Sequence, residues 1–235
     1  MNIIKTLLIL FVATPFCLSE GDYSFKNISV EDGLAESTVK VIHESKQGFI
    51  LFGTENGLDI FDGYRFKNYH MDSFNDQSIL GNKVSAIYEA NSNLIWVGTE
   101  LGISVFNPQN QKFSRPGSQS DLNNYKIVNT EKIVEDINGN IWIKESGEGR
   151  LFKYDISNLT FECITCHDEN SLFNQIINVM HKSFDGTLWF GTNKGLYFFE
   201  GTSSNIKSAE DIYDIDLLKP YQVTAIENGE KSIIW

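Results

Sequence analysis

Every tryptophan in this chain sits in the same kind of apolar run: Ile95-Trp96-Val97, Ile141-Trp142-Ile143, Leu188-Trp189-Phe190 and Ile234-Trp235. A fifth version, Ile50-Leu51-Phe52, carries Leu51 in the tryptophan slot. The steps from 51 to 96, 142, 189 and 235 are 45, 46, 47 and 46 residues. A rare residue spaced so evenly marks an internal repeat, and a period of this length belongs to stacked units such as propeller blades.

Other positions keep the same register. Turn formers stand three residues before each anchor: Gly48, Asn93, Gly139, Gly186 and Ser232. Asn138-Gly139 and Asp185-Gly186 are strong hairpin signals. Upstream lie the apolar sets Val39/Val41/Ile42, Val84/Ala86/Ile87, Ile177/Val179/Met180 and Val223/Ala225/Ile226. Downstream come Gly53-Thr54, Gly98-Thr99 and Gly191-Thr192, then Gly57-Leu58, Gly102-Ile103 and Gly195-Leu196, with Phe61, Phe106 and Phe199 closing each unit. The third copy deviates: Thr130 and Lys132 replace apolar residues, Lys144-Glu145 replaces Gly-Thr, and Gly149 falls one residue late.

Each unit reads as four short strands separated by turns. The anchor triplets are apolar at every position, as strands buried on both faces must be. The expected fold is therefore all-β: a β-propeller of four-stranded blades repeating about every 46 residues, forming an incomplete ring in this chain. In that fold Leu51, Trp96, Trp142 and Trp189 are blade core, and Gly53, Gly98 and Gly191 serve the packing and turns. They are structural positions, not a ligand site.

Residues 1–19 differ from the rest: Lys5, an apolar run to Ala13, a break at Thr14-Pro15 and small Ser19 before Glu20. This is the pattern of a secretory signal peptide, too short to span a bilayer. Phe16 before Cys17 argues against a lipoprotein anchor. The mature region is 20–235, the propeller, with about four complete blade motifs and part of a fifth. A net charge of −12 argues against nucleic acid and anionic lipid as partners, while leaving neutral solutes open.

Two cysteines remain after cleavage, Cys163 and Cys166. Cys163-Ile164-Thr165-Cys166-His167 has the spacing of c-type haem attachment. His70 occupies a similar place in the first inter-repeat loop, so the repeat already accounts for His167 and haem is not expected. A local Cys163–Cys166 disulfide and free thiols both stay open. His43 and His181 share a slot that holds Tyr88, Val134 and Glu227 in other copies, so no metal is expected. Asp59, Asp62, Asp136 and Asp185 fall at turns or strand ends, and sequence alone cannot pair them for acid–base work. No cofactor and no catalytic residues are expected, and the ligand-binding residues are unknown.

Glu31-Asp32-Gly33-Leu34-Ala35-Glu36-Ser37-Thr38-Val39, then Gln47 to Thr54, Asn56-Gly57-Leu58 and Phe61 to Phe66 resemble the opening blade of the two-component regulator propeller family. The later anchor copies resemble its succeeding blades, so the resemblance covers residues 23–235. It implies the extracytoplasmic sensor region of a membrane receptor, followed beyond a transmembrane helix by a histidine kinase (often hybrid) or a diguanylate cyclase. Characterised relatives often sense carbohydrates. The expectation is a periplasmic, non-catalytic sensor binding an extracellular small molecule or oligosaccharide. Its full-length receptor would sit in the inner membrane, dimerise there, and touch the membrane only through C-terminal segments missing here. Because the sequence stops at Trp235 inside the fifth motif, it is read as a fragment or a truncated gene product. The alternatives are a glycan lyase or hydrolase on a propeller scaffold, and a non-catalytic protein-binding propeller.

Overall fold

The computed structural model describes residues 25–117, 126–165, 175–201, 206–210 and 221–229. The expected signal peptide and the motif at Trp235 lie outside them. Among the described residues sixteen strands form four separate antiparallel sheets of four strands each, every sheet a simple meander. Blade 1 holds β1 (Val39–Glu44), β2 (Ile50–Thr54), β3 (Gly57–Phe61) and β4 (Phe66–Tyr69). Blade 2 holds β5 (Val84–Glu89), β6 (Ile95–Thr99), β7 (Gly102–Asn107) and β8 (Lys112–Ser114). Blade 3 holds β9 (Thr130–Glu135), β10 (Ile141–Glu145), β11 (Leu151–Asp155) and β12 (Thr160–Cys163). Blade 4 holds β13 (Ile177–Lys182), β14 (Leu188–Thr192), β15 (Gly195–Phe199) and β16 (Lys207–Ser208).

The first two strands of each blade are joined by the same hairpin. Ser45 N donates to Phe49 O and Gly48 N to Ser45 O, and Ala90, Asp136 and Ser183 repeat this pair of bonds. The turn needs a left-handed residue, which explains the column of turn formers. Gly48, Asn93, Gly139 and Gly186 have φ of 83°, 61°, 86° and 89°, a region that glycine and asparagine enter at least cost.

Blades touch through their first and second strands, with β5 lying against β1 and β9. The first strands are therefore the inner ones, and the fourth strands splay outward. The glycine of each Gly-Thr pair marks the closest approach. A Cβ on Gly53 would stand 2.5 Å from Val41 Cγ1 and 2.6 Å from Val84 Cγ1 of the next blade. Gly98 meets Thr130, and Gly191 meets Val223, in the same way. The following threonine closes the turn, as Thr54 Oγ1 donates to Gly57 O and accepts from Asn56 N. A second tie is a buried carboxyl at the end of the first strand. Glu89 Oε2 accepts Lys46 N of blade 1 at 2.7 Å, and Glu135 Oε2 accepts Asn91 N of blade 2 at 2.9 Å.

The core lies between blades as well as within them, since each apolar cluster draws residues from neighbouring sheets. Leu51, Trp96 and Trp142 are 1%, 3% and 1% exposed. Trp189 is less deeply buried than the other three anchors and packs against Phe198. It packs in a small cluster with Val179 and Val223. Ile42 is 62% exposed, while its counterparts Ile87, Ile133 and Met180 are buried by a preceding blade. The four sheets form an arc, with no closed ring among the described residues.

Blade 3 keeps its sheet despite its deviations. Thr130 is buried in the place of Val84, and Lys144 takes the glycine position. β13 stands further from β9 than β9 does from β5. Asp136 replaces lost packing with hydrogen bonds: it accepts from Trp142 Nε1 at 2.9 Å, Asn140 Nδ2 at 3.0 Å, and the backbone N of Asn138 and Asn140.

Two stability outcomes follow from these contacts. Gly53→Ala should cost about 1–3 kcal/mol through overpacking between blades 1 and 2, read as a lower urea midpoint. Asp136→Ala should cost about 3 kcal/mol, because it strands buried donors including the Trp142 indole. An unchanged midpoint in either variant contradicts the contact it removes.

Candidate functional site

The first strand of every blade carries a β-bulge at its second residue. The register with the second strand shifts between Val39 and Val41, Val84 and Ala86, and Ile177 and Val179, and blade 3 shifts at Lys144/Glu145 opposite Thr130 and Lys132. The extra residues are Lys40, Ser85, Glu131 and Asn178. A bulge turns its side chain away from the regular face of the strand. Here it aims four polar residues along the inside of the arc, level with the turns between second and third strands.

Two of them tie blades together. Ser85 Oγ donates to Thr130 O at 2.5 Å, and Asn178 Nδ2 donates to Val223 O at 3.1 Å. The other two are charged and border a cavity of about 290 Å³, whose lining includes Lys40, Glu55, Lys83, Glu100 and Glu131. Glu55 accepts from Lys40 Nζ at 3.0 Å and lies 3.6 Å from Lys83 Nζ. The hydrogen bond from Lys40 holds the Glu55 carboxyl below the usual range. Glu100 Oε2 accepts Lys83 N at 2.9 Å. Glu131 pairs with the buried Lys144 ammonium. Beneath it, Glu145 accepts Val128 N and Arg150 Nε, yet burial still pushes its carboxyl up. The site thus offers donors and acceptors of both signs in close alternation.

Several residues singled out in sequence have other roles. Gly53, Gly98 and Gly191 are the inter-blade contact points described above, and the four anchors lie in the second strands. Cys163, on β12, is disulfide-bonded. Cys166 and His167 lie outside the described residues. His43 Nε2 lies 3.8 Å from Glu89 Oε2, and His181 belongs to a different blade. Among the described residues no cluster of histidine, cysteine or carboxylate could hold a metal.

The four aspartates serve local structure. Asp59 accepts Ala35 N at 2.8 Å, Asp62 accepts Tyr64 N and Arg65 N, Asp136 holds Trp142, and Asp185 accepts from Ser183 Oγ and Thr187 N. Sequence reasoning missed the bulge residues, although the signal was present. In Val39-Lys40-Val41-Ile42 and Val84-Ser85-Ala86-Ile87, two adjacent apolar residues after a polar one break strict alternation, as one inserted residue requires.

Comparison with known proteins places this geometry. Residues 78–100, which span β5 and β6, match the family model described as two component regulator propeller. Histidine kinase P4 of Formosa agariphila is 32% identical over 79 residues, which is 34% of this chain and 6% of that protein. The extracellular domains of a hybrid two component system and of a one component system from B. thetaiotaomicron share the fold. Their TM-scores are 0.53 and 0.58, at 20% and 21% identity, over 89% and 85% of this chain. The chain spans 33% and 26% of those two domains. A virginiamycin B lyase from Staphylococcus aureus also shares the fold, with a TM-score of 0.53 and 14% identity over 83% of this chain and 61% of the lyase. Among the described residues no helix is long and apolar enough to cross a membrane. Over residues 78–100 the chain is thus similar to the two component regulator propellers.

Proposed function

We propose that this chain is the extracytoplasmic sensing propeller of a transmembrane receptor with a histidine kinase or diguanylate cyclase output. Its ligand is a neutral, hydroxyl-rich solute such as an oligosaccharide, held on the inner face of the arc. The observation that carries this reading is the cavity bordered by Lys40, Glu55, Lys83, Glu100 and Glu131. Charges of alternating sign in a small space disfavour a strongly ionic ligand, yet supply a donor or acceptor to each of many hydroxyls. The family match and the histidine kinase relative support the receptor context. In that context the chain acts outside the cytoplasm, within a dimeric inner-membrane protein, and performs no chemistry itself. The ligand must bind one receptor state more tightly than the other, since equal affinity shifts nothing.

The test is calorimetric titration of the full sensor region against a panel of oligosaccharides, with the products checked for bond cleavage. Saturable binding without turnover is expected. Glu55→Gln and Lys83→Ala should each weaken it by about tenfold, the equivalent of about 1.4 kcal/mol. Cleavage that survives purification would overturn the sensor in favour of an enzyme, a role the lyase structure shows this fold can host.

A further inference from the structure

The segment before blade 1 repeats part of a blade. Tyr23-Ser24-Phe25-Lys26-Asn27 matches Tyr64-Arg65-Phe66-Lys67-Asn68 at every position but the second. The later copy leads into β4, the outermost strand of blade 1. There Phe66 packs on Phe61 of the third strand, with ring centroids 4.7 Å apart. Phe113 does the same on Phe106 at 5.0 Å, and Phe161 on Tyr154 at 4.8 Å. In blades 1 to 3 the fourth strand thus carries a phenylalanine seated on an aromatic ring of its own sheet. Phe25 holds that place in the first copy, yet residues 25–29 belong to no strand and Phe25 is 95% exposed.

The chain that follows enters blade 1 as a connector from a preceding blade would. Leu34 is buried, and Ala35 N donates to Asp59 Oδ2 at 2.8 Å. Between blades 1 and 2, Ile79 is buried and Leu80 N donates to Ser104 Oγ at 2.9 Å. Asp59 and Ser104 are matching third-strand residues, opposite Phe52 and Val97. This equivalence sets residues 25–27 where the fourth strand of a preceding blade ends.

The face of blade 1 turned away from blade 2 carries half of an interface. Val39 stands in register with Val84, which presses on Gly53. The 62% exposed Ile42 stands in register with Ile87, which is buried. Glu44 matches Glu89 and Glu135, whose carboxyls accept Lys46 N and Asn91 N from the hairpin of the blade before. Glu44 itself is exposed and accepts no such N–H among the described residues.

We propose that a further sheet of this repeat, from the same polypeptide, packs on the open face of blade 1 and takes residues 23–27 as its fourth strand. The other three strands bring a glycine against Val39, an apolar side chain against Ile42, a hairpin N–H to Glu44 and an aromatic ring to Phe25. Chain length favours the same polypeptide as the source, since this chain spans 33% and 26% of the two extracellular domains that share its fold. The added strand gains backbone partners and covers an exposed sheet edge. Phe25, Val39, Ile42 and Glu44 do not border the inner-face cavity, so the proposal stands apart from the sensor reading.

Hydrogen exchange and urea unfolding test it, in the full sensor region and in this chain alone. In the full region the amides of residues 26 and 27 should exchange at least about tenfold more slowly than in this chain. Residues 66–69, in β4, report that blade 1 is folded in both proteins. Phe25→Ala and Glu44→Ala should each lower the urea midpoint of the full region. Both should leave the midpoint of this chain unchanged, because both side chains are exposed in it. Phe66→Ala should lower both midpoints. The proposal is overturned if residues 26 and 27 exchange at the free-peptide rate in the full region, or if either of the first two variants is silent there. It is overturned too if their protection rises with protein concentration, since the sheet then comes from a second copy.

Discussion

The spacing of this molecule is set by the contact between a glycine in the second strand of one blade and the first strand of the next. Val84 and Val223 press on Gly53 and Gly191, and Thr130 presses on Gly98, at distances that leave no room for a Cβ. Two sheets that close on the inside must diverge on the outside, because side chains on the outer strands are full-sized. That difference in thickness curves the stack. It also brings successive first strands side by side, so their bulged residues Lys40, Ser85 and Glu131 share one inner surface. The inner-face cavity is a product of this wedge geometry before it is a product of any particular side chain.

Where the contact changes, the whole interface changes with it. Lys144 cannot accept the close approach that Gly53 and Gly98 allow, and β13 stands off from β9. The buried carboxyl tie is lost at the same interface, since Lys182 stands where Glu89 and Glu135 stand in blades 2 and 3. Other contacts take over. Ile137 packs against Gly186 and Gly201, and Asn138 Nδ2 donates to Gly201 O at 2.8 Å. The freed Lys144 ammonium turns to Glu131, placing a buried cation beneath the inner surface. A departure in one strand therefore alters the charge of the site next to it.

The fold was legible because a repeat multiplies weak signals. One Gly-Thr pair means little, but three in register with anchors, turn glycines and closing phenylalanines leave few alternatives to stacked four-stranded sheets. The hairpin column was readable down to Asn93, whose left-handed backbone matches the glycines around it. The site was not legible, for a physical reason. Lys40, Ser85, Glu131 and Asn178 share no chemistry, so they look like ordinary exposed residues of a strand. What unites them is backbone geometry, visible in sequence only as a broken alternation.

A repeat fold offers the same packing solution many times, so its specific features collect where one copy breaks the pattern. The contrast between Trp142 and Leu51 makes this concrete. Trp142 fills its slot, packs at a tilt against Phe199 and satisfies its Nε1–H on Asp136, and burial of so large a side chain contributes on the order of 4–6 kcal/mol by area. Leu51 gives up part of that stabilisation, and Tyr69 of the same blade packs edge-on against Phe106 instead. Selection for stability alone would favour the tryptophan that the other blades carry. Sequences that are otherwise locally consistent tend to depart from their own rule at sites that bind or move, and Leu51 places such a departure at the interface of blades 1 and 2.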